Sequence, residues 1–311
     1  MENILAVLTQ EFFYAMIRMA SPIILAAMGE VMLERAGIFN LGLEGMMLFG
    51  AFFAVLGSFL FHSAWAGVAL AMMVGVLLGL LFGWAVISIR ANQAVTGTAI
   101  NILALGMTSM LARMIWGVMD VPLSVSSIDV FAIPLLHKMP LLGYVLFQHS
   151  PLVYLAYLSV PLAAFVLYRT SWGLKIRAIG EHPKAAETMG IHVLRWKYAM
   201  AIIAGSCATL AGSILSLSFM NLFVDNISAG RGFMAVVSVI LGQWNPWGIA
   251  MGGLIFGFGN ALQMRLQSFG IPIPTDLLLI FPIFLALIVV LISKGSSAAR
   301  PSALAKPYYK E

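Results

Sequence analysis

Apolar runs of membrane length alternate with short polar breaks along almost the whole chain. A bilayer span takes about 20 mostly apolar residues, and on that measure spans fall near 12–33, 42–62, 65–89, 94–117, 151–169, 196–219, 246–266 and 276–293. A further apolar run, 231–243, is too short to cross comfortably, and Gln243, Trp244, Asn245 and Pro246 break it from the next. That pair reads as a re-entrant or broken hairpin, which a membrane tolerates only where it is buried in protein or lines a cavity. The expected fold is therefore all-α, a polytopic helical membrane protein with about eight or nine membrane segments. Small residues recur four apart at Gly75, Gly79 and Gly83, at Ala204, Ala208 and Gly212, and at Gly253 and Gly257. Such stripes let helix backbones approach closely where no water drives association, and they predict a compact bundle.

Two polar breaks are long. The stretch 170–195 is flanked by Arg169 and Lys197 and contains Lys175, Arg177, Lys184 and Arg195. Pro183 stands where a helix would start and Gly190 where one would stop, which predicts about two turns, roughly 10 Å long. Ala185, Ala186 and Met189 are expected to share one shallow apolar face on it, a docking surface rather than a core; the competing reading is a plain positively charged loop. The stretch 118–150 carries Lys138 alone among basic residues and is too apolar for a free linker, so it is expected on the outer membrane face. Lys and Arg in short loops mark the cytoplasmic side, which places 170–195, Arg35, Arg90 and the tail inside and the N-terminus outside. Residues 2–11 have an alternative as an interfacial helix. The tail, 294–311, is basic and poor in order-promoting residues, and is expected to be disordered.

Composition narrows the function. Of 311 residues 61% are hydrophobic and 9% charged, where soluble domains carry about 25%. The net charge of +5 is scattered over loops, so nucleic acid is excluded as a partner. The single cysteine, Cys207, lies in an apolar span, leaving no disulfide framework and no cysteine metal site. No basic residue precedes the first apolar run, so a cleaved signal peptide is not expected. No phosphate-binding G-x-x-x-x-G-K-[ST] occurs, no G-x-S-x-G, and no H-E-x-x-H. Catalysis and an ATP site of the chain's own find no support.

Polar residues inside apolar runs are functional candidates because burying them is costly. Residues 34–47 hold three glycines and an asparagine, the signature of a broken helix whose loose backbone groups can face a cavity. Phe39, Asn40 and Glu44 come from it; Glu44 would accept hydrogen bonds from a sugar hydroxyl or base edge, or instead pair with Arg35. Asn101 is polar lining or a helix-to-helix bond. Asn221, Arg231 and Asn245 are expected near the outer half of a pathway, with Phe39, Phe223 and Trp244 available to stack on a flat base.

Three motifs carry a resemblance. Residues 173–191 follow G-L-x-x-R-A-x-G-x-x-P-x-A-A-x-x-x-G-I, residues 34–47 follow E-R-x-G-x-x-N-L-G-x-E-G-M-M, and residues 229–246 contain A-G-R-G-F and G-x-W-N-P. Together they resemble the permease subunits of bacterial ABC importers of the branched-chain amino acid, ribose and nucleoside group, closest to the nucleoside, guanosine-type branch, over about residues 22 to 267. The resemblance implies one transmembrane permease domain over 1–293, in the bacterial plasma membrane, with a basic cytoplasmic tail. It implies that Gly180, Glu181, Pro183, Ala185, Ala186, Gly190 and Ile191 contact an ABC ATPase subunit that binds ATP and Mg, none being bound by this chain. It also implies a second related permease subunit and an extracytoplasmic solute-binding (lipo)protein that delivers a small-molecule substrate, a nucleoside. A sugar or branched-chain amino acid is the alternative cargo. The rival of another class is an ion-coupled secondary transporter using Glu44 and Arg231 as its relay.

Overall fold

Among the described residues, each apolar run long enough to span becomes a helix. The computed structural model describes residues 9–117, 125–134, 137, 139, 142–268 and 300–309. Among these, α1 is Gln10–Arg35, α2 Leu43–Phe61, α3 Ala64–Gly83, and α4 Gln93–Trp116. A two-residue ladder pairs β1 (Phe131–Ala132) with β2 (Gln148–His149), antiparallel, around the short helix α5, Leu142–Phe147. There follow α6 (Pro151–Arg169), α7 (Ser171–Glu181), α8 (Pro183–Thr188), α9 (Val193–Ser213), α10 (Arg231–Leu241) and α11 (Pro246–Ser268). Single π-helical stretches extend α3 to Ser88 and α9 to Met220. Among the described residues six helices are long and apolar enough to cross a membrane, and their bounds differ from the expected ones by a few residues at most. The expected span 276–293 and most of residues 2–11 lie outside the described residues.

α1 is the axis of the bundle. Every residue from Ala20 to Glu34 is buried, as expected of a helix apolar on all sides and surrounded by others. α6, α9, α10 and α11 enclose it, while α2, α3 and α9 form a second packed group. The small-residue stripes are the seams. A methyl group on Gly75 would lie 2.1 Å from Thr209 Oγ1, and one on Gly205 2.3 Å from Gly75 O, so α3 and α9 touch backbone to backbone. α4 packs mainly on α2 and leaves Ile102, Met110 and Met114 exposed.

The two ends of the bundle differ. At one end the described part of 118–150 folds back on the helices: Val125 N donates to Asn221 O (2.9 Å), Ile128 N to Leu217 O (3.0 Å) and Ser58 Oγ to Ser126 O (3.0 Å). At the other end lie α7, α8 and the segment 300–309. Disorder was the expectation for 294–311, and over the described part, 300–309, the structure corrects it: Ala303, Leu304 and Tyr308 are buried. Composition missed this because the burying surface belongs to α7–α9, remote in sequence.

Candidate functional site

The break after α1 is a turn in which Gly37 takes φ +86°, a region that only glycine enters readily. Polar groups from distant elements converge around it. Asn40 N donates to Glu30 Oε1 (2.9 Å), and Asn40 Oδ1 accepts from Gly42 N (2.8 Å). Trp244 Nε1 donates to Glu34 Oε2, while Arg35 donates through Nε (3.1 Å) and Nη2 (2.9 Å) to Trp244 O. Glu30 and Glu34 are both fully buried, four residues apart on one helix, and their carboxyl groups adjoin each other. Phe39 sits at the edge, its N–H donating to Gln93 Oε1 (2.8 Å).

One turn further on, Glu44 clamps the start of α10. Its Oε1 accepts from Ser228 Oγ (2.6 Å) and Gly230 N (2.8 Å), and its Oε2 accepts from Gly232 N (2.7 Å). Gly232 makes the approach possible, since a Cβ there would lie 2.4 Å from Glu44 Cα. A carboxylate at a helix N-terminus meets loose N–H groups and the positive end of the helix dipole. Arg231 turns back on its own loop, donating to Ile227 O and Ser228 O (3.2 Å each). Asn101 crosses from α4, accepting from Gly45 N (2.7 Å) and donating to Leu41 O (2.8 Å). The alternative partnership of Glu44 with Arg35 does not form, because Trp244 O occupies the guanidinium.

The pathway candidates therefore divide by position. Asn40, Glu44, Asn101 and Arg231 share the region around the first helix break. Asn221 and Phe223 lie at the loop-118–150 end, where Phe223 packs against Phe52 (5.3 Å) and Trp116 (6.4 Å). Asn245 was expected in the outer half and lies instead, beside Trp244, at the end that carries α8, because α10 runs back toward Arg35. Asn245 is exposed, its Oδ1 accepting from Trp247 N (3.1 Å). The paired carboxylates were missed as a unit: their i, i+4 spacing in an apolar helix was the signal.

In the 170–195 stretch Pro183 starts α8 and Gly190, at φ +80°, follows its end, as the spacing predicted. The shared apolar face divides otherwise than expected. Ala186 is buried against Ile179, Val193 and Tyr308, whereas Ala185 is exposed and Met189 is 82% exposed. Gly180 is buried too: a Cβ there would meet Arg35 O at 2.1 Å, so α7 rests directly on the end of α1. Glu181 accepts from Ser302, and Ile191 is half-buried with its N–H donating to Ala186 O (3.1 Å). The surface offered outward is Lys184, Ala185, Thr188, Met189 and Gly190.

Known proteins resemble this chain over nearly its whole length. The guanosine ABC transporter permease protein NupQ of Bacillus subtilis (strain 168) is 36% identical over 302 residues, 94% of each chain. The putative glucose ABC transporter permease protein TsgC13 of Haloferax volcanii is 36% identical over 258 residues, 82% of this chain and 77% of that one. The nucleoside ABC transporter permease protein NupC of Lactococcus lactis subsp. cremoris is 31% identical over 289 residues, 90% of this chain and 91% of that one. With the model of one family matching residues 12–291, the chain belongs to the branched-chain amino acid transport system / permease component family, as a multi-pass membrane permease subunit.

Proposed function

We propose that this permease carries nucleosides inward, driven by ATP bound with Mg and hydrolysed on a separate ATPase subunit that seats on α8. The cargo assignment is carried by the guanosine and nucleoside permeases among the relatives, which match 94% and 90% of this chain. The mechanical assignment is supported by geometry: α8, a short helix at one end of the bundle with an exposed face, directly follows α7, which rests through Gly180 on the end of the deeply buried α1. ATP acts by favouring one arrangement of the subunits over another, the only way a ligand shifts such an equilibrium. A displacement at α8 is then delivered to α1, whose carboxylates hold Asn40 and Trp244. Glu44 acts by positioning the start of α10 rather than by touching cargo; Asn101 does the same for α2. A second permease and an extracytoplasmic binding protein complete the assembly. α10, at 11 residues about 17 Å long, falls short of the about 30 Å a full span needs and forms a broken pair with α11, whose 23 residues are long enough to cross. With the segment 276–293 this brings the membrane segments to about eight or nine.

One observation favours a second cargo, a hexose: the putative glucose permease matches at the same 36% identity, over a shorter stretch. Titrating the cognate binding protein with guanosine, adenosine, uridine, glucose and leucine in a thermal-shift assay separates the two. Stabilisation by nucleosides alone is expected. A shift with glucose and none with any nucleoside would reassign the cargo.

A further inference from the structure

The stretch 300–309 joins connections that lie far apart in the chain. Toward α7 and α8, Ala303 N donates to Gly180 O (2.8 Å), Ser302 donates through N (3.2 Å) and Oγ (2.7 Å) to Glu181 Oε2, and the Tyr308 hydroxyl donates to Glu187. The Tyr308 ring packs with Ile179, Ala186 and Val193, and the Lys197 ammonium lies 5.6 Å from its centre. Toward the other connections, Ala303 backs onto the turn after α1, where a Cβ on Gly37 would lie 3.3 Å from Ala303 O. The Arg90 guanidinium, in the turn between α3 and α4, stands 4.5 Å over the Tyr309 ring. A cleft of about 500 Å³ opens between this stretch and the start of α8.

A basic tail near an anionic membrane surface needs none of this. Charge alone accounts neither for a backbone hydrogen bond to Gly180 nor for an aromatic ring buried beneath Lys197. α8 has six residues and buries one side chain, Ala186. A helix that short has little stability of its own and transmits force only as far as its packing holds it. Much of that packing is Tyr308.

We propose that residues 300–309 are a strap binding α8, the turn after α1 and the turn after α3 into one body. In that arrangement, displacement of α8 is delivered to α1 instead of being absorbed by local bending. Ser302, Ala303 and Tyr308 are its positioning residues; they touch neither cargo nor nucleotide. The strap rests on the importer reading above, in which α8 receives the ATPase.

The test uses the assembled transporter in proteoliposomes, with ATP hydrolysis and guanosine uptake measured in the same vesicles. Three chains are compared: full length, truncated after residue 299, and the double variant Ser302→Ala, Tyr308→Phe, which keeps the ring and the backbone hydrogen bonds and deletes the two side-chain ones. The ATPase is expected to co-purify with all three and to hydrolyse ATP. Uptake per ATP is expected to fall at least about fivefold on truncation, the lower end of ordinary coupling factors, and less in the double variant. If the truncated chain fails to assemble, the double variant decides. Uptake per ATP equal to the full-length value overturns the strap and leaves the importer reading standing. A full-length chain whose uptake ignores ATP removes the importer reading, and the strap with it.

Discussion

A carboxylate that accepts hydrogen bonds from three donors is a clamp, and its geometry says what a neutral replacement does. In Glu44→Gln the amide nitrogen must face either Gly230 N–H or Gly232 N–H, so one buried donor loses its partner in both orientations. The cost is about 1–3 kcal/mol. We expect a lower melting temperature in detergent together with reduced uptake; an unchanged melting temperature would show that Glu44 does not hold α10 in place. His149 makes a second prediction. It is buried, stacked 4.5 Å from Tyr14, with Nε2 2.8 Å from Val145 O, and it lies near Arg18. Burial holds its imidazole below the ordinary value of 6.5; the hydrogen bond to Val145 O opposes this, and Arg18 adds to it. The neutral ring therefore contributes stability above pH 6.5 that is lost as pH falls through the lowered folded value. A His149→Gln chain is expected to lose less stability on acidification than the native one; equal losses would contradict this.

At the scale of elements, α8 separates two kinds of substitution. Ala186 is packed against Ile179, Val193 and Tyr308, so Ala186→Leu overfills that cluster and costs about 1–3 kcal/mol of stability. Met189 touches little and is 82% exposed, so Met189→Asp is expected to leave the melting temperature unchanged while the ATPase no longer co-purifies. Retained co-purification with Met189→Asp would move the docking surface elsewhere. The existence and bounds of α8 were legible in sequence because Pro183 and Gly190 act through local backbone geometry. Which side of α8 faces inward was not legible, because Tyr308, more than a hundred residues away, decides it. The same holds for α10: its shortness was readable from 231–243, but its direction was not. Trp244 therefore meets Glu34, and Asn245 beside it lies away from the outer end expected for it. The small-residue stripes were readable as seams since backbone contact between helices requires small side chains, as Gly75 against Gly205 shows.

Over the whole molecule, one end carries α8 and the strap and the other carries the 118–150 loop, with α1 buried between them. The six spans were visible in sequence because hydropathy is a property of each stretch alone. The polar joint at the end of α1 was visible only in part, since Glu30, Glu34, Asn40, Arg35 and Trp244 meet through tertiary packing. The account's central claim is that force from a separate ATPase reaches this bundle through the exposed side of α8. Its most direct test is cross-linking from Met189→Cys in intact membranes. Cys207, half-buried and packed against Gly29, remains in place as an internal control. The account predicts a covalent adduct with the nucleotide-hydrolysing subunit, with a yield that changes when ATP is added. No adduct with that subunit, or labelling of the new cysteine by an impermeant reagent from outside the cell, would contradict it.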